Sequence, residues 1–201
     1  MTDERRRIVL ATGNRGKIEE LRQLLVPLGL DCIAQGELGI SAARETGESF
    51  VENAIIKARQ AARATGLPAL ADDSGLAVDA LAGAPGVYSA RYAGPGASDE
   101  DNVGKLLAAL SDTPAAQRSA CFHCVVVYLR HGNDPVPIIG HGSWAGTVLE
   151  RPVGTAGFGY DSVFGVPEYP GRSAAELEPD DKNRWSHRGK ALAQLLRMFE
   201  N

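Results

Sequence analysis

Short apolar runs alternate along the chain with segments whose apolar residues recur at helical spacing. "RIVLAT" (7–12) predicts a buried strand and "GNRGK" a turn. "IEELRQLLVPLG" then sets Ile18, Leu21, Leu24, Leu25 and Leu28 against Glu19, Glu20, Arg22 and Gln23, the two sides of a helix. In "SFVENAIIKARQAARATG", Ser49 and Glu52 stand at capping-box spacing, and Gly66 ends a helix of about four turns. "LPALADDSGLAV" predicts a strand that gives way to a loop at Asp72 and Asp73. The Gly- and Pro-rich stretch 83–102, with its Tyr, Arg and Ser residues, predicts an ordered surface loop. Ser98 and Asp101 open a further helix with Val103, Leu106, Leu107 and Leu110 on one side. Two longer strands, near 119–130 and 136–150, flank "HGNDP" as a hairpin. "GTAGFGYDSVF" precedes an acidic helical segment, and a last helix starts at Ser186 and buries Leu192, Leu195, Leu196 and Phe199.

This order predicts an α/β fold: a mixed sheet covered by helices. The 201 residues, 44% of them hydrophobic, suit one domain over 1–201 whose core needs no metal or disulfide. A net charge of −4 argues against a nucleic-acid polymer as partner and allows a small anion only through a local basic cluster. The N-terminal arginines follow acidic residues and precede only a short apolar run, which is not a signal peptide. Every apolar stretch is broken well short of the roughly 20 residues that span a bilayer. No membrane partner and a cytoplasmic location are therefore expected. "CFHC" (121–124) lies in a run that reads as a strand, where residues three apart face opposite ways, so Cys121 and Cys124, like Cys32, read as buried structural thiols and His123 as a packed strand residue.

Several stretches can carry chemistry. "TGNRGK" (Thr12, Gly13, Asn14, Arg15, Gly16, Lys17) joins a strand to a helix, where backbone N–H groups attract phosphate; it fits neither GxxxxGK[ST] nor GxGxxG, so a plain turn competes equally with a phosphate cradle. Glu45 precedes the cap of the second helix, free to reach the aspartates, whereas Lys57 falls on that helix's polar side. Asp72 and Asp73 suit either an Asx turn or, with a third carboxylate, the oxygen-rich site that Mg²⁺ prefers. "GTAGFGYD" reads as a tight bend beside an aromatic, or as a base stacked on Phe158 with Asp161 at its edge. "SHRGKA" puts His187 and Arg188 in a first helical turn, where the helix dipole disfavours cations and a polar or anionic ligand would offset it.

Taken together and in order, "ATGNRGK", "ETGESFVENAIIKA", "ADDSGLAVDALAGAPGVYSARYAG", "GFGYDSVF" and "SHRGKAL" resemble the inosine/xanthosine triphosphate pyrophosphatase family, in particular its bacterial dITP/XTP members, over nearly the whole chain. The resemblance implies two lobes around a long mixed sheet, a homodimer, and Mg²⁺-dependent hydrolysis of deaminated purine nucleoside triphosphates (ITP, dITP, XTP) to the monophosphate and pyrophosphate, which cleanses the nucleotide pool. Position by position it implies that Thr12 to Lys17 hold phosphates with help from Lys57. Asp73 would be general base and metal ligand, Glu45 the second metal ligand, and Asp72 their support. Ser74 would touch substrate, and Phe158, Gly159, Tyr160, Asp161, Lys182, His187 and Arg188 would hold base and sugar. Ala156 and Ser162 stand where the family often has Gly and Pro. A nucleotide sensor without turnover and a pyrophosphatase for modified pyrimidine or methylated nucleotides are the competing readings.

Overall fold

The computed structural model describes residues 6–199. The chain runs β1 (Arg6–Leu10), α1 (Arg15–Leu25), β2 (Leu30–Ala34), α2 (Phe50–Thr65), β3 (Ala69–Val78), α3 (Asp99–Ala109), β4 (Ser119–Leu129), β5 (Ile138–Val148), β6 (Phe164–Gly165), α4 (Pro179–Trp185) and α5 (His187–Arg197), with short 3₁₀ turns between them. The six strands form one sheet in the order β2-β1-β3-β4-β5-β6. β1 pairs in parallel with β2 and with β3, whereas β5 and β6 are antiparallel, so the sheet is mixed as expected. The reading of "MTDER" concerns residues outside those described. Among the described residues no helix is long and apolar enough to cross a membrane.

Contacts divide the chain into two compact units. One takes the chain through Asp73, then Val125–His141 and the stretch from Ala191 on; the other takes Ser74–Cys124 and Gly142–Lys190. In the first, Ala54, Ala58, Ala61 and Ala62 make a ridge along α2 that packs on Val9, Ala11, Ala69 and Ala71 and on Val125, Val127 and Leu129. Side chains of one methyl let the helix lie close to the strands, and the capping box of Ser49 with Glu52 and the left-handed Gly66 set its ends where the pattern predicts. In the second unit, Leu76 and Val78, Phe122, Trp144 and Phe164 from the strands enclose Val103, Leu106 and Leu110 of α3.

Several expectations are corrected, and one strand was not expected at all. β3 does not stop at the aspartates but runs through them to Val78, because Lys17 and Lys57 supply partners that let charged residues stay in a buried strand. β2 went unforeseen: "LDCIA" is short and half-buried, without the apolar alternation that marks a strand. Leu28 is exposed in a 3₁₀ turn, since Pro27 cannot continue α1 beyond Leu25. Phe199 lies past the end of α5 and is exposed, its ring edge-on to Tyr128 at 4.7 Å. The cysteines are thiols outside any disulfide, Cys32 and Cys124 buried and Cys121 only half-buried.

Between β4 and β5 the buried Asp134 carboxylate accepts hydrogen bonds from the Arg130 guanidinium at 2.8 and 2.7 Å and from the amides of Arg130 and Val136, each at 3.0 Å. The guanidinium, helped by those amides, holds this carboxyl well below the usual carboxylate range. A depressed folded-state pKa stabilises the fold above the unfolded value of about 4 and is lost as pH falls below it. Asp134→Asn should therefore lower stability near neutrality and narrow the gap to wild type as urea unfolding is repeated at successively lower pH.

Candidate active site

Consecutive strand residues point to opposite faces. Ala69 and Ala71 pack against α2, so Asp73 leaves β3 on that face and Asp72 on the other. Each meets its own lysine. Asp72, wholly buried, pairs with Lys17 Nζ at 3.1 Å. Lys17 lies in the first turn of α1, whose N-cap Asn14 accepts from the Lys17 amide at 3.1 Å and donates its own N–H to Thr12 Oγ1 at 3.2 Å. That turn holds no acid, which leaves its amide dipoles as a local positive centre beside the Lys17–Asp72 pair.

On the α2 face, Lys57 Nζ lies 2.6 Å from Asp73 Oδ1 and 3.0 Å from Glu45 Oε1, and all three side chains are largely buried. Burial draws the Lys57 ammonium toward neutrality, but the charges of Asp73, Asp72 and Glu45 outweigh it and its pKa rises above the ordinary lysine value. Burial likewise pushes the Asp73 carboxyl above 3.8, against the pull of Lys57 and Lys17. Glu45 reaches the ammonium because its loop is pinned: Gly47 N–H donates to Asn53 Oδ1 at 2.8 Å, and the amides of Glu48 and Ser49 donate to Glu52 Oε2 at 2.9 Å each. Two carboxylates converging on one cation fit a hard divalent ion that takes one or two carboxylates and completes its shell with water and substrate phosphate. Among the described residues no group of three or more His, Cys, Asp or Glu side chains could hold a metal alone. For such an ion Glu45 and Asp73 would supply part of a shell, and Asp72, on the other face of β3, would not.

The second unit carries a different cluster. Asp161 Oδ2 accepts from Phe158 N–H at 2.9 Å and pairs with Lys182 Nζ at 2.7 Å. Lys182 Nζ lies 5.1 Å and Arg188 Cζ 5.6 Å from the centre of the half-buried Phe158 ring, within cation–π range. Arg188, 2% exposed, also donates to Ser74 Oγ at 3.0 Å. Ser186 joins the two cations: its N–H donates to Lys182 O at 2.8 Å and closes α4, and its Oγ accepts from Gly189 N–H at 3.1 Å and opens α5. Gly189 must be glycine, because a Cβ there would run into the carbonyl oxygen of Asn183 in α4.

The structure brings together Glu45, Lys57 and Asp73; Lys17 and Asp72; and Ser74, Phe158, Asp161, Lys182 and Arg188. Other residues of the expected set have packing contacts of their own. Tyr160 is buried with its hydroxyl donating to Ser89 O at 2.9 Å. Burial pushes that hydroxyl's pKa well up. His187 is buried and stacks on Phe122, centroids 4.6 Å apart and planes 8° apart. Asp161 stays in the Phe158 cluster, holding the Phe158 amide and Lys182. Gly13, Asn14 and Arg15 are exposed in the β1–α1 turn, with Gly16 half-buried. Two residues went unforeseen. Asn53 is a wholly buried amide in the alanine ridge, and a polar residue breaking an apolar stripe was its signal. Asp99, which accepts from Gly159 N–H at 2.6 Å, gave none, since an acid in a first helical turn is ordinary.

Buried carboxylates of β3 meeting ammonium groups in one unit, and an aromatic ring under two cations in the other, are each chemistry that suits an α/β nucleotide hydrolase. The chain belongs to the Ham1 family, whose model matches residues 8–198. It is 60% identical over 195 residues to the dITP/XTP pyrophosphatase of Pectobacterium atrosepticum, covering 97% of this chain and 98% of that protein. Over the same length and shares it is 57% identical to the dITP/XTP pyrophosphatase of Escherichia coli strain K12. Among solved structures, the HAM1 protein of Coxiella burnetii matches with a TM-score of 0.86 and 50% identity over 97% of this chain and 99% of that one.

Removing one partner of a buried ion pair costs about 3–5 kcal/mol, because the other charge stays buried without compensation. Lys57→Met should destabilise the protein by that order in urea titrations, and Lys57→Met combined with Asp73→Leu should recover part of the loss. A single mutant as stable as wild type would show that solvent already screens the cluster.

Proposed function

We propose that the chain hydrolyses deaminated purine nucleoside triphosphates, ITP, dITP and XTP, to the monophosphate and pyrophosphate, with Mg²⁺ held by Glu45 and Asp73. The observation that carries this reading is the convergence of those two carboxylates on one cation, in a chain about 60% identical to enzymes named for this reaction. A triphosphate brings about four negative charges, and a protein of net charge −4 cannot draw it in by its overall field. Local groups must do so. The α1 amides and Lys17 take phosphate oxygens, and Lys57 neutralises charge developing during transfer. Asp73 accepts a proton from the attacking water, and its raised pKa brings it nearer that task than an ordinary aspartate. The chemistry that Mg²⁺ supplies at Glu45 and Asp73 is charge neutralisation on the phosphate oxygens.

The second cluster suits the base. A purine stacks on Phe158 and meets donors from Lys182 and Arg188, which match the 6-oxo acceptor of hypoxanthine and xanthine and leave the 6-amino group of adenine unmatched. One unmatched buried polar group costs roughly 1–3 kcal/mol, so excluding ATP takes more than one such donor. We also propose, on the family resemblance, a homodimer working in the cytoplasm as a cleanser of the nucleotide pool.

The deciding measurement is pyrophosphate release from ITP, XTP, dITP, GTP, ATP and TTP with and without Mg²⁺. Rapid release confined to ITP, dITP and XTP and to Mg²⁺ is expected; binding without release would favour a sensor, and preference for TTP a pyrimidine enzyme. Asp73→Asn should abolish turnover yet leave ITP binding measurable, and wild-type turnover in it would remove Asp73 from the base role. In Lys17→Ala, a KM for ITP raised about tenfold or more is expected, the loss of one charge-assisted phosphate contact.

A further inference from the structure

The segment 152–159 that delivers Phe158 is poorly anchored by its own side chains: Gly154, Thr155, Ala156 and Gly157 are all exposed. It faces Asp99, Glu100, Val103 and Leu107 of α3 across a cavity of about 450 Å³, so packing does not back it on that side. Its conformation must be held by hydrogen bonds. The two amides that flank the Phe158 α-carbon both donate to carboxylates: Phe158 N–H to Asp161 Oδ2 at 2.9 Å and Gly159 N–H to Asp99 Oδ2 at 2.6 Å. Fixing both peptide planes, the second of which also accepts from Asp161 N–H at Phe158 O at 3.2 Å, fixes the φ and ψ of Phe158 and so the direction in which its side chain leaves the backbone. Asp161 comes from the same loop, whereas Asp99 reaches in from the first residue of α3. Capping does not need Asp99, because Ser98 and Asp101 already form the box, with Asp101 N–H donating to Ser98 Oγ at 3.1 Å and Ser98 N–H to Asp101 Oδ2 at 2.9 Å.

We propose that Asp99 is a positioning residue for base recognition: its carboxylate holds the Gly159 peptide and thereby aims the Phe158 ring at the purine. This rests on the reading of Phe158 as the stacking surface. Asp99 acts through the loop and touches no reacting atom, so it governs substrate affinity and not the chemical step.

The test compares wild type, Asp99→Ala, Asp99→Asn and Glu100→Ala, reading ITP kinetics and backbone hydrogen exchange of each full chain. Asp99→Ala should raise KM for ITP about tenfold, as expected for losing a hydrogen bond to a charged group, with kcat changed less than about twofold. Exchange at the Gly159 amide should speed up while β3 and α5 keep wild-type protection. Asp99→Asn keeps an acceptor oxygen and should restore both readouts, and Glu100→Ala, which removes the same charge one residue on, should match wild type. Should Asp99→Ala loosen α3 as a whole, Asp99→Ser, too short to reach Gly159, takes its place. Unchanged exchange at Gly159, failure of Asp99→Asn to rescue, or equal effects of Glu100→Ala would each overturn the proposal. A wild type that hydrolyses no 6-oxopurine triphosphate would instead overturn the functional reading, and the exchange measurement would still decide whether Asp99 holds the loop.

Discussion

Two neighbouring carboxylates inside a buried strand are tolerated only when each finds its own counter-charge, and this constraint organises the first unit. Because β3 alternates sides, no one lysine pairs directly with both Asp72 and Asp73, and the chain sends one from α1 and another from α2. The turn after β1, the N-terminus of α1, the ridge of α2 and the loop bearing Glu45 all take positions that satisfy this pair. Even the small side chains of the α2 ridge contribute, since a close approach to the strands lets Lys57 reach both Asp73 and Glu45.

Much of this was legible in the sequence, and what was not has identifiable causes. Helices with strong caps, such as α2 with Ser49, Glu52 and Gly66, were readable to within a residue because capping chemistry is local. The strands 119–129 and 138–148 were readable because they are long and β-branched or aromatic. β2 was not, since its place is decided by pairing with β1 and not by its own five residues. The aspartates showed the same limit: a charged pair predicts a loop until distant lysines make a buried strand tolerable.

The residues of the site divide along similar lines. Glu45, Lys57, Asp73, Phe158 and Arg188 stand in the quoted motifs and Lys182 follows from the resemblance alone, and all six lie in clusters. His187 and Tyr160 belong to the same motifs, and the packing of their rings on Phe122 and into the core is something no spacing rule reveals. Asn53 and Asp99 act by holding backbone amides of loops six and sixty residues away along the chain, and such contacts exist only once the fold has formed.

The double duty of Ser186 has a mechanical consequence. With one residue terminating α4 by its amide and starting α5 by its hydroxyl, no slack remains between the helices, and the ammonium of Lys182 and the guanidinium of Arg188 are carried on what amounts to a single rigid bracket. A force that shifted the backbone of α4 beneath Lys182 would therefore be passed on to the start of α5 beneath Arg188, while each side chain stays free to turn about its own bonds.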